Sequence, residues 1–373
     1  PHVLVDGATR PESVLTLSHW PQSPTPMALA RDLSAQIVFA FLHAAHGDAL
    51  PRRGAGGGQR GRGGQGGRSD GEIRSAIAAA GRAEAVTNDH FDEDGLVSVF
   101  AMTDPDAAMP HEELLVDVAS CGDFGVVRSR PAARIAFAIG PIAEEAATQE
   151  AAAEVPDSGV SGKRPGSWSG RRYYAVLDRM VELLEHPEHF RRYWEQEDEA
   201  LSASLADLEA GVIRIHEVPE VDLAVVTRAG LATRPPDGAV SMTGRSVLGL
   251  SEVALHSATS ASRILVFNQG RCELYLRYEG WVRYISRKVP RRPDLAPLAE
   301  QLSAAEPSGI RWQADGVGSI VTRMRAGARG ETDLDPAVIT GSVACYLRSA
   351  TPAWDPFRRG GALIPSGKRR RPE

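Results

Sequence analysis

The chain has 373 residues and a net charge of −6, from 42 Lys and Arg set against 48 Asp and Glu. That length accommodates about two domains, and the 42 % apolar and 24 % charged fractions are those of a globular protein. The acidic balance argues against a protein that coats nucleic acid or anionic membrane, and no apolar run is long enough to span a bilayer. Cys121, Cys272 and Cys345 lie far apart and form no CxxC pair, which excludes a disulfide framework and a thiolate zinc site. The opening His2-Val3-Leu4-Val5-Asp6 has no charged-then-apolar leader, so a cytoplasmic protein without a secretory signal is expected.

Composition divides the chain. Residues 51–71 are almost wholly Gly, Arg and Gln, a segment with nothing to bury and expected to be a disordered insertion. A second weak stretch covers 143–172, and the tail from 351 ends on Lys368-Arg369-Arg370-Arg371. The expected organisation is an N-terminal α/β domain over 1–142, a linker over 143–172, a second and smaller domain over 173–350, and a basic flexible tail over 351–373. Arginines on a flexible backbone can track phosphates, so the Arg/Gly segment is a candidate for weak single-stranded nucleic-acid contact. It lacks the aromatic residues that supply base stacking, and a solvated insertion is the simpler reading.

In chain order, His2–Asp6 and Val14–Ser18 read as short strands. Pro26 then starts a helix that carries Leu29, Leu33, Ile37 and Phe41 on one face. Ala83–Thr87 reads as a strand leading into Asn88–Gly95, followed by a helix over Leu96–Met102. Glu113–Ser120 reads as the next strand and Pro131–Ile139 as a helix. Such alternation predicts a doubly wound, mostly parallel sheet, with ligands outside the carboxyl ends of its strands. Beyond residue 173, Tyr173–Leu184 and Pro187–Leu208 read as helices, and Asp222–Thr227 and Arg263–Asn268 as strands. Glu273–Tyr278 and Trp281–Ser286 read as a hairpin through Glu279-Gly280, and Leu295–Ala305 and Ala337–Leu347 as helices, giving an α/β or α+β second domain.

The densest chemistry is Asn88-Asp89-His90-Phe91-Asp92-Glu93-Asp94-Gly95, a histidine among four carboxylates just after an apolar strand. Carboxylates this close repel one another unless a cation lies among them. Their mixture with imidazole suits a divalent metal, manganese first, with magnesium or zinc as the other choices. A calcium loop fails on ligands: with Asp92 and Asp94 at its third and fifth positions, His90 would stand first and Ala101 twelfth. A solvated acidic turn is the alternative.

His90-x-Asp92-x-Asp94-Gly95-x-x-Ser98 resembles the first motif of the DHH phosphoesterase superfamily. The resemblance implies a strand-end site for a manganese pair and a smaller second domain closing over the substrate. It makes Asp92 and Asp94 metal ligands with His90 beside them, and Asp123, in Ser120-Cys121-Gly122-Asp123, the counterpart of the second-motif Asp. It covers about fifteen contiguous residues and one Asp. No Asp-His-His triplet or Gly-Gly-Gly-His run occurs. Taken whole, the chain also resembles a bacterial family of unknown function.

These readings predict a metal-dependent hydrolase of a phosphate ester or anhydride, acting on a small nucleotide or short oligonucleotide. Its metal ligands would be His90, Asp92, Asp94 and Asp123. His19, in Ser18-His19-Trp20 at a strand end, is the candidate proton donor to the leaving group. Arg128 is the candidate phosphate-binding residue, with Arg130 and Arg134 following it. The rival reading is a non-catalytic binding module that keeps a phosphoesterase-like fold.

Overall fold

The computed structural model describes residues 1–47, 66–153, 168–229 and 246–358. Most of the Arg/Gly segment, much of the 143–172 stretch and the basic end of the tail lie outside these residues.

The N-terminal part is built on a parallel sheet of β1 (His2–Val5), β2 (Ser13–Leu17) and β3 (Ala85–Thr87), in the order β2-β1-β3. Val3 pairs with Leu15 and Val86, so the central strand is buried on both sides, as its apolar run predicts. Around the sheet stand α1 (Ser34–His46), α2 (Gly66–Ala80), α3 (Glu93–Thr103), α4 (Glu112–Phe124) and α5 (Arg130–Ala153). The architecture is α/β, as expected.

Three details differ from the sequence reading. The helix expected from Pro26 begins at Ser34, although Leu29, Leu33, Ile37 and Phe41 are all buried. Six residues of the Gly-rich segment, 66–71, belong to α2. Glu113–Ser120 is helical instead of extended, because Leu115, Val118 and Ala119 face the core at the helical spacings of three and four. Asp123 therefore stands on the last turn of a helix, one residue before its end and two before Gly125, whose φ of +62° closes it.

Helices α6 (Trp168–Leu177), α7 (Met180–Glu185) and α8 (Arg191–Glu209) follow. Their residues Val176, Met180, Leu183, Trp194 and Leu201 enter the same core as α1, α3, α4 and α5. They pack with the first unit, although the sequence reading grouped them with the second.

The second unit is a six-stranded sheet formed by β4 (Ile213–Val218), β5 (Leu223–Arg228), β6 (Arg263–Asn268), β7 (Arg271–Leu276), β8 (Trp312–Ala314) and β9 (Thr322–Ala326). The strand order is β8-β9-β7-β6-β5-β4, with β5 and β6 parallel and every other pair antiparallel. Alternation sorts its two faces. Leu223, Val225, Leu265 and Leu274 pack on one side, and Ala224, Val226, Ile264 and Val266 on the other. Helix α9 (Glu252–Ala258) contributes Leu255 to the second face, while α10 (Ala296–Ala305) and α11 (Pro336–Ser349) cover the first. The hairpin joins β6 to β7 through Gln269 and Gly270, both at positive φ, the twist that a two-residue turn requires.

Trp281–Ser286 is not a strand. The Arg283 N–H donates to the His19 carbonyl at 2.9 Å, and the Ile285 and Ser286 N–H groups donate to the Asp32 carboxylate. These residues brace the N-terminal unit. No helix among the described residues is long and apolar enough to cross a membrane.

Candidate metal centre

The three parallel strands end side by side, and the residue or loop after each delivers a ligand group. Asp6 follows β1, Ser18-His19 follows β2, and Asn88–Asp94 follows β3. Asp6 adopts φ +43°, a turn that leaves its carboxylate buried beside the other two loops. The position is the one that open α/β sheets reserve for ligands.

The loop after β3 enters α3 under tight constraints. Asp92 is the N-cap, its Oδ1 accepting the Gly95 N–H at 2.8 Å, and the Asn88 side chain accepts the His90 N–H at 2.7 Å. A Cβ on Gly95 would meet Asn88 Nδ2 at 2.3 Å and Tyr173 Oη at 2.7 Å, so a side chain there would have to displace both. Asp94 is fully buried and lies at the N-terminus of α1, where the Ser34 and Ala35 N–H groups donate to its two oxygens at 2.8 and 2.7 Å. The Ser34 hydroxyl donates to Asp6 Oδ1 at 2.8 Å.

His19 is held on every side. Its N–H donates to Ser34 Oγ, its Nδ1–H to the Asp32 carbonyl, and its own carbonyl accepts Arg283 N–H. The backbone acceptor fixes the tautomer, leaving Nε2 as a lone pair that accepts the Tyr278 hydroxyl at 3.2 Å. That lone pair faces carboxylates: Asp123 Oδ2 at 3.3 Å, Asp6 Oδ1 at 3.5 Å and Asp94 Oδ2 at 3.8 Å. Burial depresses the His19 pKa, so the ring brings no positive charge to them. A divalent ion placed here would be shared by the lone pair and these oxygens, in exchange for the Tyr278 donor. Asp123 Oδ2 is buried without a hydrogen-bond partner among the described residues, and Asp6 Oδ2 is buried with His90 Nε2 3.2 Å away.

His90 lies nearer the surface, its ring tilted 37° against Trp20 with centroids 4.8 Å apart. Its Nε2 is 2.7 Å from Asp92 Oδ2 and 3.2 Å from Asp6 Oδ2, and its Nδ1 is 3.0 Å from Asp89 Oδ1. Burial opposes its charge, but the bonds to Asp6, Asp89 and Asp92 outweigh it and hold the imidazole well above its ordinary range. The same partner draws Asp89 and Asp92 below the usual carboxylate value against the cost of their burial.

The other three carboxyls move upward. Burial, followed by repulsion from Asp92 and Asp94, pushes Asp6 to about 6. Burial and the nearby Asp92 push Asp94 to about 7 despite its two backbone donors. Asp123 rises well above the ordinary value through burial and repulsion from Asp94, Asp92 and Asp6. Five carboxyl groups thus share a pocket whose ion-pair partners among the described residues include the two histidines and, at the edge, Arg10, 3.7 Å from Asp89.

Two donor sets emerge, Asp6 with His90 and Asp92, and Asp6 with His19 and Asp94, each with its ligand atoms within 4.8 Å of one another. They share Asp6, which turns Oδ2 toward His90 and Oδ1 toward His19. The expected ligands His90, Asp92 and Asp94 therefore converge, with Asp123 reaching them from the end of α4. His19, expected as a proton donor, is buried with its one N–H tied to a backbone carbonyl, the geometry of a ligand. Arg128 is exposed; its backbone N–H donates to Asp117, and among the described residues its side chain makes no hydrogen bond or ion pair. Arg130 and Arg134 are engaged with Asp198 on α8.

Sequence reasoning missed Asp6 and Tyr278. The signal for Asp6 was its place at the end of the first apolar strand, the same signal that singled out His19. Tyr278, whose hydroxyl lies 3.2 Å from His19 Nε2, comes from the second unit and carried no local signal.

A family model described as a family of unknown function, DUF6687, matches residues 1–357. Neither a curated protein sequence nor a solved structure matches the chain.

Proposed function

The chain belongs to the DUF6687 family, and we propose that it is a metal-dependent hydrolase of a phosphate ester or anhydride, with a small nucleotide or short oligonucleotide as substrate. The observation that carries this reading is the pair of donor sets joined through the two oxygens of Asp6. Carboxylate and imidazole donors in this proportion suit manganese, with magnesium or zinc next. Asp6, His90 and Asp92 would hold one ion and Asp6, His19 and Asp94 a second, with Asp123 beside the latter. When bound, divalent ions supply a water of lowered pKa and neutralise charge on phosphoryl oxygens.

The chain's own residues do the rest. Asp32 and Ser34 fix the His19 ring, and the α1 N-terminus fixes Asp94. His90 is protonated in the metal-free protein and would give up its Nε2 proton to hold the ion, with Nδ1 kept on Asp89. Arg10 at the rim offers a cation to an anionic substrate. Cys121, Cys272 and Cys345 form no disulfide among the described residues, which accords with a cytoplasmic setting.

Metal content and thermal shift test the reading. Manganese at a hundred times its dissociation constant should raise stability by about 2.7 kcal/mol, and the loaded protein should hydrolyse a generic phosphodiester to monoester and alcohol or release phosphate from a nucleotide. A protein indifferent to manganese, magnesium and zinc alike rules the proposal out.

A further inference from the structure

The two donor sets differ in their access to solvent. In the outer set, the side chains of His90 and Asp92 are each 29 % exposed. In the inner set His19 and Asp94 are wholly buried, and the Asp6 they share with the outer set is buried too. An ion cannot pass between water and the inner donors while every wall around them stays in place, so one wall has to open.

Most of those walls belong to the core. Asp94 rests on the N–H groups of Ser34 and Ala35, both fully buried on α1, and Leu4, Val5 and Leu17 of the parallel strands are buried as completely. On the outer side the way is filled by the outer set itself, with His90 Nε2 3.2 Å from Asp6 Oδ2 and 2.7 Å from Asp92 Oδ2. The remaining wall is of another kind. Residues 278–286 of the second unit run across His19 as a strap, a single 3₁₀ turn over Tyr278–Gly280 followed by irregular backbone. The Tyr278 hydroxyl meets His19 Nε2, and the Tyr278 and Tyr284 rings lie 5.9 and 5.2 Å from that of Phe124. Arg283, Tyr284 and Ile285 are only partly buried and Ser286 is exposed. The latches of this outer half are hydrogen bonds: Arg283 N–H to the His19 carbonyl at 2.9 Å, the Arg283 guanidinium to the Ser23 carbonyl at 2.7 Å, and the Ile285 and Ser286 N–H groups to Asp32 Oδ1 at 2.6 and 2.9 Å.

A surface segment without regular structure, latched by hydrogen bonds that water can replace, opens at lower cost than a helix N-terminus or a central strand. Resting on the metal-centre reading, we infer that residues 278–286 are the gate of the inner donor set: the strap lifts from His19 to admit or release the inner ion, while the outer ion exchanges without it. The same movement takes the Tyr278 hydroxyl off the lone pair that the ion needs, so opening the site and vacating its ligand are one event. The inner ion is then a long-lived resident of the protein and the outer ion an exchangeable one.

The test follows manganese leaving the loaded full chain into excess EDTA, with protein-bound metal counted after rapid desalting at timed intervals. Release should occur in two phases, one ion fast and one slow. Arg283→Ala removes the latch on Ser23, and Asp32→Ala removes the acceptor of two strap N–H groups while keeping the backbone carbonyl that holds His19 Nδ1. Each should speed the slow phase at least about tenfold, the worth of one or two hydrogen bonds, and leave the fast phase as it is. Deuterium uptake by the Ile285 and Ser286 amides should rise in step with the slow phase. A single release phase overturns the gate and leaves the metal centre standing, as does a slow phase that both folded variants leave at the wild-type rate. Failure to take up manganese overturns both.

Discussion

The Tyr278 hydroxyl and the His19 imidazole, 259 positions apart in the chain, meet at 3.2 Å, the hydroxyl donating to the Nε2 lone pair. In the metal-free protein that hydroxyl occupies an orbital that a metal ion needs. Tyr278→Phe should therefore tighten manganese binding a few-fold while lowering metal-free stability by about 1 kcal/mol, the usual net value of one hydrogen bond. Calorimetric titration and thermal melts measure the two quantities. Weaker binding in the variant would mean that the hydroxyl orients the histidine and does not compete for it.

Stability without metal should fall with rising pH. Asp6 and Asp94 have folded-state values of about 6 and about 7, above an ordinary carboxyl value of 3.8, and Asp123 is raised as well. Each binds its proton more tightly folded than unfolded. Their contribution is therefore complete below about pH 4 and is lost as pH climbs through 6 and 7. His19 and His256, lowered by burial, work the other way up to about pH 6.5, but they are two groups against three, and His90, raised by its carboxylate partners, adds to the decline above that pH. Thermal melts between pH 4.5 and 8 in a chelator should show the decline, and Asp123→Asn should make it shallower. A metal-free protein whose stability rises steadily through this range would refute the crowding of these carboxyls.

Two neighbouring aspartates should respond oppositely to loss of charge. Asp123 has a buried oxygen without a donor, so Asp123→Asn should leave metal-free stability equal or higher while reducing the manganese-induced thermal shift. Asp92 caps α3 and is bonded to protonated His90 at 2.7 Å. Asp92→Asn keeps a capping oxygen but gives up the ion pair, so it should lose both the metal response and about 1–2 kcal/mol of metal-free stability. Identical behaviour of the two variants would show that the centre does not distinguish ligand from cap.

Gly95→Ala should be costly out of proportion to one methyl group. The added carbon would lie 2.3 Å from Asn88 Nδ2 and 2.7 Å from Tyr173 Oη, so the loop carrying His90 must shift. Destabilisation of about 1–3 kcal/mol and a weaker manganese response are expected, read from melts with and without metal. A neutral substitution would mean that the loop is looser than its contacts indicate.

The sequence made the acidic loop legible because its ligands are contiguous and follow an apolar strand. It also placed β1, β2 and β3 within one or two residues, since short apolar runs bounded by turn residues leave few alternatives. Glu113–Ser120 was opaque for a physical reason: Leu114, Val116 and Val118 alternate, as a strand's residues would, while Leu115, Val118 and Ala119 also satisfy a helix, and packing against α3 and α5 decides. Trp281–Ser286 alternates too, yet its N–H groups go to His19 and Asp32, distant partners that no local pattern reveals. Asp6 was passed over because one aspartate at a strand end has no neighbour to mark it.

The Phe124 carbonyl, one residue beyond Asp123, accepts from both His256 and Arg277 of the second unit. Neither unit can then complete the candidate centre by itself. A fragment ending near residue 209 would keep Asp6, His19 and the acidic loop but would lose the anchor that sets Asp123, the hydroxyl on His19 and the brace from Arg283. Shuffling one unit onto a foreign partner would have to reproduce the seam around Phe124 first. Cutting the chain between the two units would therefore dismantle the candidate centre at its edge even with every acidic residue still present.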